Sequence, residues 1–244
     1  PIPTSVTRVK SPLDVPGPAG YSGAMRTAWW IALAWAAGLV SALAAPLRVA
    51  CVGDSITFGA YLPRRETEAY PARLETLSDG RIATTNLGVS SHTLIKAGRL
   101  SWWNSPAFAQ AAAYRPDAVV VMLGTCDVVE PDKLAAYESD LGALVNHFAA
   151  LPSNPRVWIA TPPPIPTLRQ WKLNWRLNQH VIPAIHRVAR THRAQVIDVN
   201  AALRGRADLF PDDLHPNAEG ADLIARTVWE SLREACPPAP APAP

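Results

Sequence analysis

One serine, one histidine, one aspartate and a set of glycine turns are the residues of this chain whose types and order could do acyl-transfer chemistry. The serine is Ser55, in Val49-Ala50-Cys51-Val52-Gly53-Asp54-Ser55-Ile56-Thr57-Phe58-Gly59, where an apolar run breaks at Gly53 into a small polar turn. A short apolar run bounded by glycine reads as a buried strand. A serine at the C-terminal end of such a strand sits where open α/β sheets bind ligands. A following helix could also offer N–H groups to an oxyanion there. Caps and turns use serine in the same way, so the chemistry depends on partners. Phe210-Pro211-Asp212-Asp213-Leu214-His215-Pro216-Asn217 holds them, with Asp212 three residues before His215. An imidazole can take a serine proton when a carboxylate fixes its tautomer. A plain helix-entry turn, with Pro216 at the first helical position, would use the same residues structurally. Between these ends lie Asn86-Leu87-Gly88-Val89-Ser90 and Leu123-Gly124-Thr125-Cys126-Asp127, each closing an apolar run with glycine.

In this order the four stretches resemble the blocks of the SGNH (GDSL-type) hydrolase superfamily, from Arg48 to about Leu232. The resemblance implies a nucleophile at Ser55, a general base at His215 and an orienting carboxylate at Asp212. It also implies an oxyanion hole formed by Ser55, Gly88 and the residue at position 126. There the family carries Asn, and this chain carries Cys126. A thiol is a weak donor, so Thr125 and Asn86 become candidates to fill the gap. Asp54 and Asp127 read as acceptors that fix turns. No cofactor and no metal is implied, and His92, His147, His180, His186 and His192 show no dense ligand spacing.

The elements that must position these residues follow from periodicity. Apolar runs predict strands over 47–52, 82–87, 117–123, 156–161 and 195–199. The continuous run Val119-Val120-Val121-Met122-Leu123 suits a parallel strand covered on both faces. Leu134, Tyr137, Leu141, Leu144, Val145, Phe148 and Leu151 fall at helical spacing, with Pro131 and Asp132 suited to a first turn. Two further helices are predicted over about 169–191, kinked or ended by Pro183, and over about 217–234. Strands alternating with helices predict a three-layer α/β/α, doubly wound, flavodoxin-like fold with a five-stranded parallel sheet. Right-handed crossovers would gather the strand ends on one rim.

The chain has 244 residues, 48% of them hydrophobic, which suits one domain plus tails. A net charge of +3 is too small, and too spread out, for a nucleic-acid partner. Residues 1–24 are rich in Pro and Gly and read as a disordered leader or as sequence attached upstream. Residues 25–45 open on Met25-Arg26, run apolar without charge and end near Ala42 and Ala44, as a signal peptide does. A membrane anchor is the alternative, and it would be the only membrane contact. The expected location is secreted or periplasmic. Residues 46–236 form the hydrolase domain, and the Pro/Ala tail 237–244 should be extended. Three cysteines leave an odd count. The fold that the resemblance implies makes the first and third strands neighbours, so Cys51 and Cys126 could approach; the plainer reading of Cys51 is a small buried hydrophobe.

Three functions compete. The Tyr114-Arg115-Pro116-Asp117 and Thr161-Pro162-Pro163-Pro164 stretches resemble the carbohydrate acetylesterase branch, which implies removal of O-acetyl groups from a small-molecule or polysaccharide ester. A lysophospholipase or acyl-thioesterase on the same scaffold would need an elongated apolar groove. A catalytically weak glycan-binding domain would explain Cys126, but not an intact Ser55, Asp212 and His215. Among nine tryptophans, Trp102 and Trp103 are the candidates for contact with a sugar, followed by Trp171 and Trp175 four residues apart.

Overall fold

Valine and isoleucine runs with no polar face build the middle of the molecule. The computed structural model describes residues 45–236; the leader, nearly all of the 25–45 segment and the Pro/Ala tail lie outside that range. The strands are β1 (Leu47–Gly53), β2 (Ile82–Gly88), β3 (Ala118–Met122), β4 (Arg156–Ala160) and β5 (Gln195–Ile197). All pair in parallel, in the order β2-β1-β3-β4-β5. The principal helices are α1 (Ser55–Phe58), α2 (Tyr70–Leu77), α3 (Pro106–Ala113), α4 (Tyr137–Ala149), α5 (Trp171–Arg176), α6 (Ile182–His192) and α7 (Ala218–Leu232).

Strand β3 shows why the pattern is continuous. Val119 and Val121 pack on one face with Leu141, Phe148 and Ile185 of α4 and α6. Ala118, Val120 and Met122 pack on the other with Leu74 of α2 and Ile224 and Val228 of α7. Successive side chains point to opposite faces, and both faces are covered, so no position is left for a polar residue. The expected three-layer α/β/α sandwich is the one observed. The strand order reverses between β1 and β3, and the switch point of such a sheet is where its ligand site forms.

Two helices depart from expectation in detail. Pro131–Ala136 forms a 3₁₀ segment, and regular α4 starts only at Tyr137. The helix does not end at Pro183 but runs on from Trp171 to His192. A π turn over Leu177–Val181 joins α5 to α6, with the Ile182 N–H reaching back to the Leu177 carbonyl. Widening the helix just before the proline relieves the clash that its ring would make with the preceding turn.

Candidate active site

Strand β1 delivers the serine. A Cβ at Gly53 would lie 1.9 Å from Thr57 Oγ1 and 2.8 Å from the Met122 carbonyl oxygen, so only glycine lets the strand turn here. Asp54 then caps α1, its Oδ1 accepting the Ile56 N–H at 3.0 Å. Ser55 is the first residue of that single turn and is 7% exposed. Gly59, at φ +85°, ends it, and the N–H groups of Gly59 and Ala60 close on the Ser55 carbonyl at 3.0 and 2.9 Å.

The histidine arrives from the loop before α7. Asp213, at φ +69°, turns the backbone. Asp212 Oδ1 accepts the N–H groups of His215 and Leu214 at 2.7 and 3.1 Å, while its Oδ2 meets His215 Nδ1 at 2.7 Å. One carboxylate therefore shapes the turn and orients the ring. Burial pushes its pKa up, but the bonds from His215 and Leu214 outweigh that and hold it below the ordinary carboxylate range. On the far side, His215 Nε2 lies 2.8 Å from Ser55 Oγ. With Nδ1 donating to a carboxylate, Nε2 is left as the acceptor for the serine proton. Residues 160 positions apart in sequence thus form one Asp–His–Ser relay.

The expected oxyanion donors are placed differently. The Gly88 N–H is spent on Asn86 Oδ1 at 3.0 Å, and Asn86 Nδ2 donates to the carbonyls of Thr57 and Phe58 at 2.9 and 3.4 Å. Gly88 and Asn86 therefore clamp the end of β2 onto α1 and are not free donors. A Cβ at Gly88 would come within 2.1 Å of the Phe58 nitrogen, so glycine is needed there for close approach. The Thr125 hydroxyl is buried without a hydrogen-bond partner and lies beside Asp54, outside good bonding geometry. The backbone N–H groups of Ser55 and Ser91 make no hydrogen bond among the described residues. Ser91 sits at φ +65° and, with Cys126, lines a cleft of roughly 580 Å³ edged by Leu100 and Val129. Asp54 and Asp127 are the turn-fixing acceptors expected of them. Asp127 takes the N–H groups of Leu94 and Ile95 at 3.0 and 2.9 Å.

The sequence profile of the GDSL-like lipase/acylhydrolase family matches residues 51–223, the span that carries every one of these groups. The chain belongs to that family. That family is one of lipases and acylhydrolases. A curated relative, an acetylxylan esterase of Xylanibacter ruminicola, is 30% identical over 77% of this chain, which spans 43% of the relative's length. Among solved structures, LAE5, an α/β hydrolase enzyme from the metagenome of Lake Arreo, superposes with a TM-score of 0.61 at 25% identity, covering 78% of this chain and 96% of that one. Axe2, an acetylxylan esterase of Geobacillus stearothermophilus, shares the fold at TM-score 0.60 and 24% identity, over 77% of this chain and 93% of its own.

The tryptophan expectations need correction. Trp102 is 0% exposed, its Nε1 bonded to the Leu87 carbonyl at 3.0 Å and its ring edge-on to Phe108 and Phe148. Trp103 packs on Phe108 and donates to the Leu94 carbonyl at 2.9 Å. Trp102 fills core under the 89–101 loop, while Trp103 is half-buried against that core with Lys96 Nζ over its ring at 4.3 Å; each polar edge finds a backbone carbonyl. Trp171 and Trp175 stay about half exposed on α5, which is tied to the turn after Cys126 by Arg176 Nη1 on the Val128 carbonyl at 2.9 Å. Pairing of Cys51 with Cys126 is also corrected. All three cysteines are free, and the register seats Val120 beside Cys51, six residues short of Cys126. Two groups had no signal in the sequence. Ser91, which lines the cleft beside Cys126, offers only a backbone N–H in a left-handed turn. Tyr61 lies edge-on to the His215 ring at 4.9 Å between centroids and carries no motif at all.

Proposed function

We propose that this chain is an exported carbohydrate O-acetylesterase. Ser55 gives its proton to His215 Nε2 as its oxygen adds to the acetyl carbonyl. Asp212 holds the imidazolium that forms. The N–H groups of Ser55 and Ser91 are the free donors for the tetrahedral oxyanion, with Cys126 where a third would stand. His215 then protonates the departing sugar hydroxyl, leaving an acetyl group on Ser55. A water molecule, deprotonated by the same imidazole, hydrolyses that ester, releases acetate and restores the serine.

The observation that carries the choice of substrate is the acetylxylan esterase relative, aligned over 77% of this chain. Export rests on the basic, then apolar, then small-residue pattern of 25–45. The test is an acyl-length series of p-nitrophenyl esters beside an acetylated xylooligosaccharide, run on the parent and on Ser55→Ala. Acetyl should be the preferred acyl group, acetate should be released from the sugar, and the alanine variant should lose both activities while remaining folded. Rates that climb with acyl length would replace this reading with a lysophospholipase or thioesterase.

A further inference from the structure

Tyr61 is the most conspicuous side chain that the relay itself does not use. It is 82% exposed, yet its ring stands at 62° to the His215 imidazole with centroids 4.9 Å apart. Its backbone sits at φ +63°, a region that bulky residues rarely occupy. The backbone turn that carries it is closed by the Ala60 N–H on the Ser55 carbonyl at 2.9 Å and by the Leu62 N–H on the Gly59 carbonyl at 3.3 Å. The nucleophile and the tyrosine are thus held by the same few hydrogen bonds. A solvent-exposed aromatic in a costly conformation against a catalytic base points from the outlier to a role.

The reaction says which role. When the tetrahedral intermediate collapses, the proton on His215 Nε2 passes to the leaving alcohol oxygen, so the alcohol must lie against the imidazole. A ring packed on that imidazole borders the leaving-group side of the site, opposite in function to the oxyanion side at Ser91 and Cys126. We infer that Tyr61 is a specificity-determining residue whose ring face receives the pyranose ring of the departing sugar. This rests on the proposed sugar substrate. An aromatic face suits the C–H face of a sugar, and its hydroxyl is free to bond outward.

The experiment compares kcat/KM for an acetylated xylooligosaccharide, cyclohexyl acetate and methyl acetate in the parent, Tyr61→Phe, Tyr61→Ala and Tyr61→Gly. The ratios of sugar ester to methyl acetate and of cyclohexyl acetate to methyl acetate should each fall about tenfold in the alanine and glycine variants, through KM more than kcat, and be kept in the phenylalanine variant. Tyr61→Gly removes the positive-φ strain, so its melting temperature should not drop and the loss cannot be assigned to unfolding. Ratios that stay constant, whether the three rates hold or fall together, overturn the inference. A parent that fails on the acetylated sugar overturns the sugar substrate instead, and the cyclohexyl ratio then still decides the role of Tyr61.

Discussion

At the scale of single residues, the proposed oxyanion hole turns on position 126. Burial pushes the Cys126 thiol far above its ordinary pKa, and Asp54, Asp127 and Glu130 add to the shift. It therefore stays an S–H, a weak donor that does not turn into a repelling thiolate at working pH. An amide at this position would reach the charge that develops on the carbonyl oxygen. Cys126→Asn is expected to raise kcat more than it changes KM, by up to roughly a hundredfold. Steady-state kinetics on an acetyl ester checks this; an unchanged or lower kcat in a folded variant would mean that the Ser55 and Ser91 N–H groups suffice. Gly88 bears on the same site sterically. Gly88→Ala forces a methyl to 2.1 Å from the Phe58 nitrogen, which is backbone and cannot swing away. Activity should drop at least tenfold as α1 and its serine shift, since small misplacements of a reacting group are costly.

At the scale of elements, the relay depends on two turns and on the helices that follow them. Asn217 caps α7, its Oδ1 accepting the Gly220 N–H at 2.9 Å, while its own N–H bonds the Leu209 carbonyl at 2.8 Å. The segment between those anchors is the one that carries Asp212 and His215. Asn217→Ala should cost about 1 kcal/mol of stability, measured by urea unfolding, and Asn217→Ser should recover most of it. The buried neighbours Leu209 and Phe210 hold the other end of the segment, so the alanine variant should keep most of its kcat.

At the scale of the whole molecule, two buried carboxyls link stability to pH. Burial, opposed by the Ile56 N–H and reinforced by Asp127, raises the Asp54 pKa to about 7; burial also raises Asp127 to about 6. A carboxyl whose folded pKa exceeds its unfolded value binds more protons in the native state. Its contribution is fully present below about pH 4 and is lost as pH rises through the folded pKa. Asp212 has the opposite sign, because its folded pKa is lowered, and it contributes above the ordinary carboxylate range. Asp54→Asn keeps a good cap and removes the buried charge. It should be more stable than the parent at pH 8, on the order of 2 kcal/mol, with the difference vanishing near pH 4. Denaturant unfolding at the two pH values reads it; equal differences at both would show that Asp54 titrates normally.

The local regularities of the chain determined most of the fold. Five runs closed by glycine or polar residues became five parallel strands; the central β1 and β3, buried on both faces, carry a hydrophobic signature that needs no partner to be recognised, whereas the edge strands β2 and β5 are only partly buried. Ser55, Asp212 and His215 were legible for a related reason: the chemistry demands those residue types, and they stand at the end of a strand and in the turn that leads into a helix. What the tertiary structure alone decided concerns backbone groups and neighbours. Whether the N–H of Gly88 or of Ser91 is free depends on where an Asn86 side chain goes. Whether Trp102 meets substrate or core depends on the fold of the 89–101 loop above Leu87. A helix that passes through Pro183, and a tyrosine that lands on His215, likewise arise from packing between distant segments. Side-chain type records what a residue can do, and only the folded chain sets what it faces.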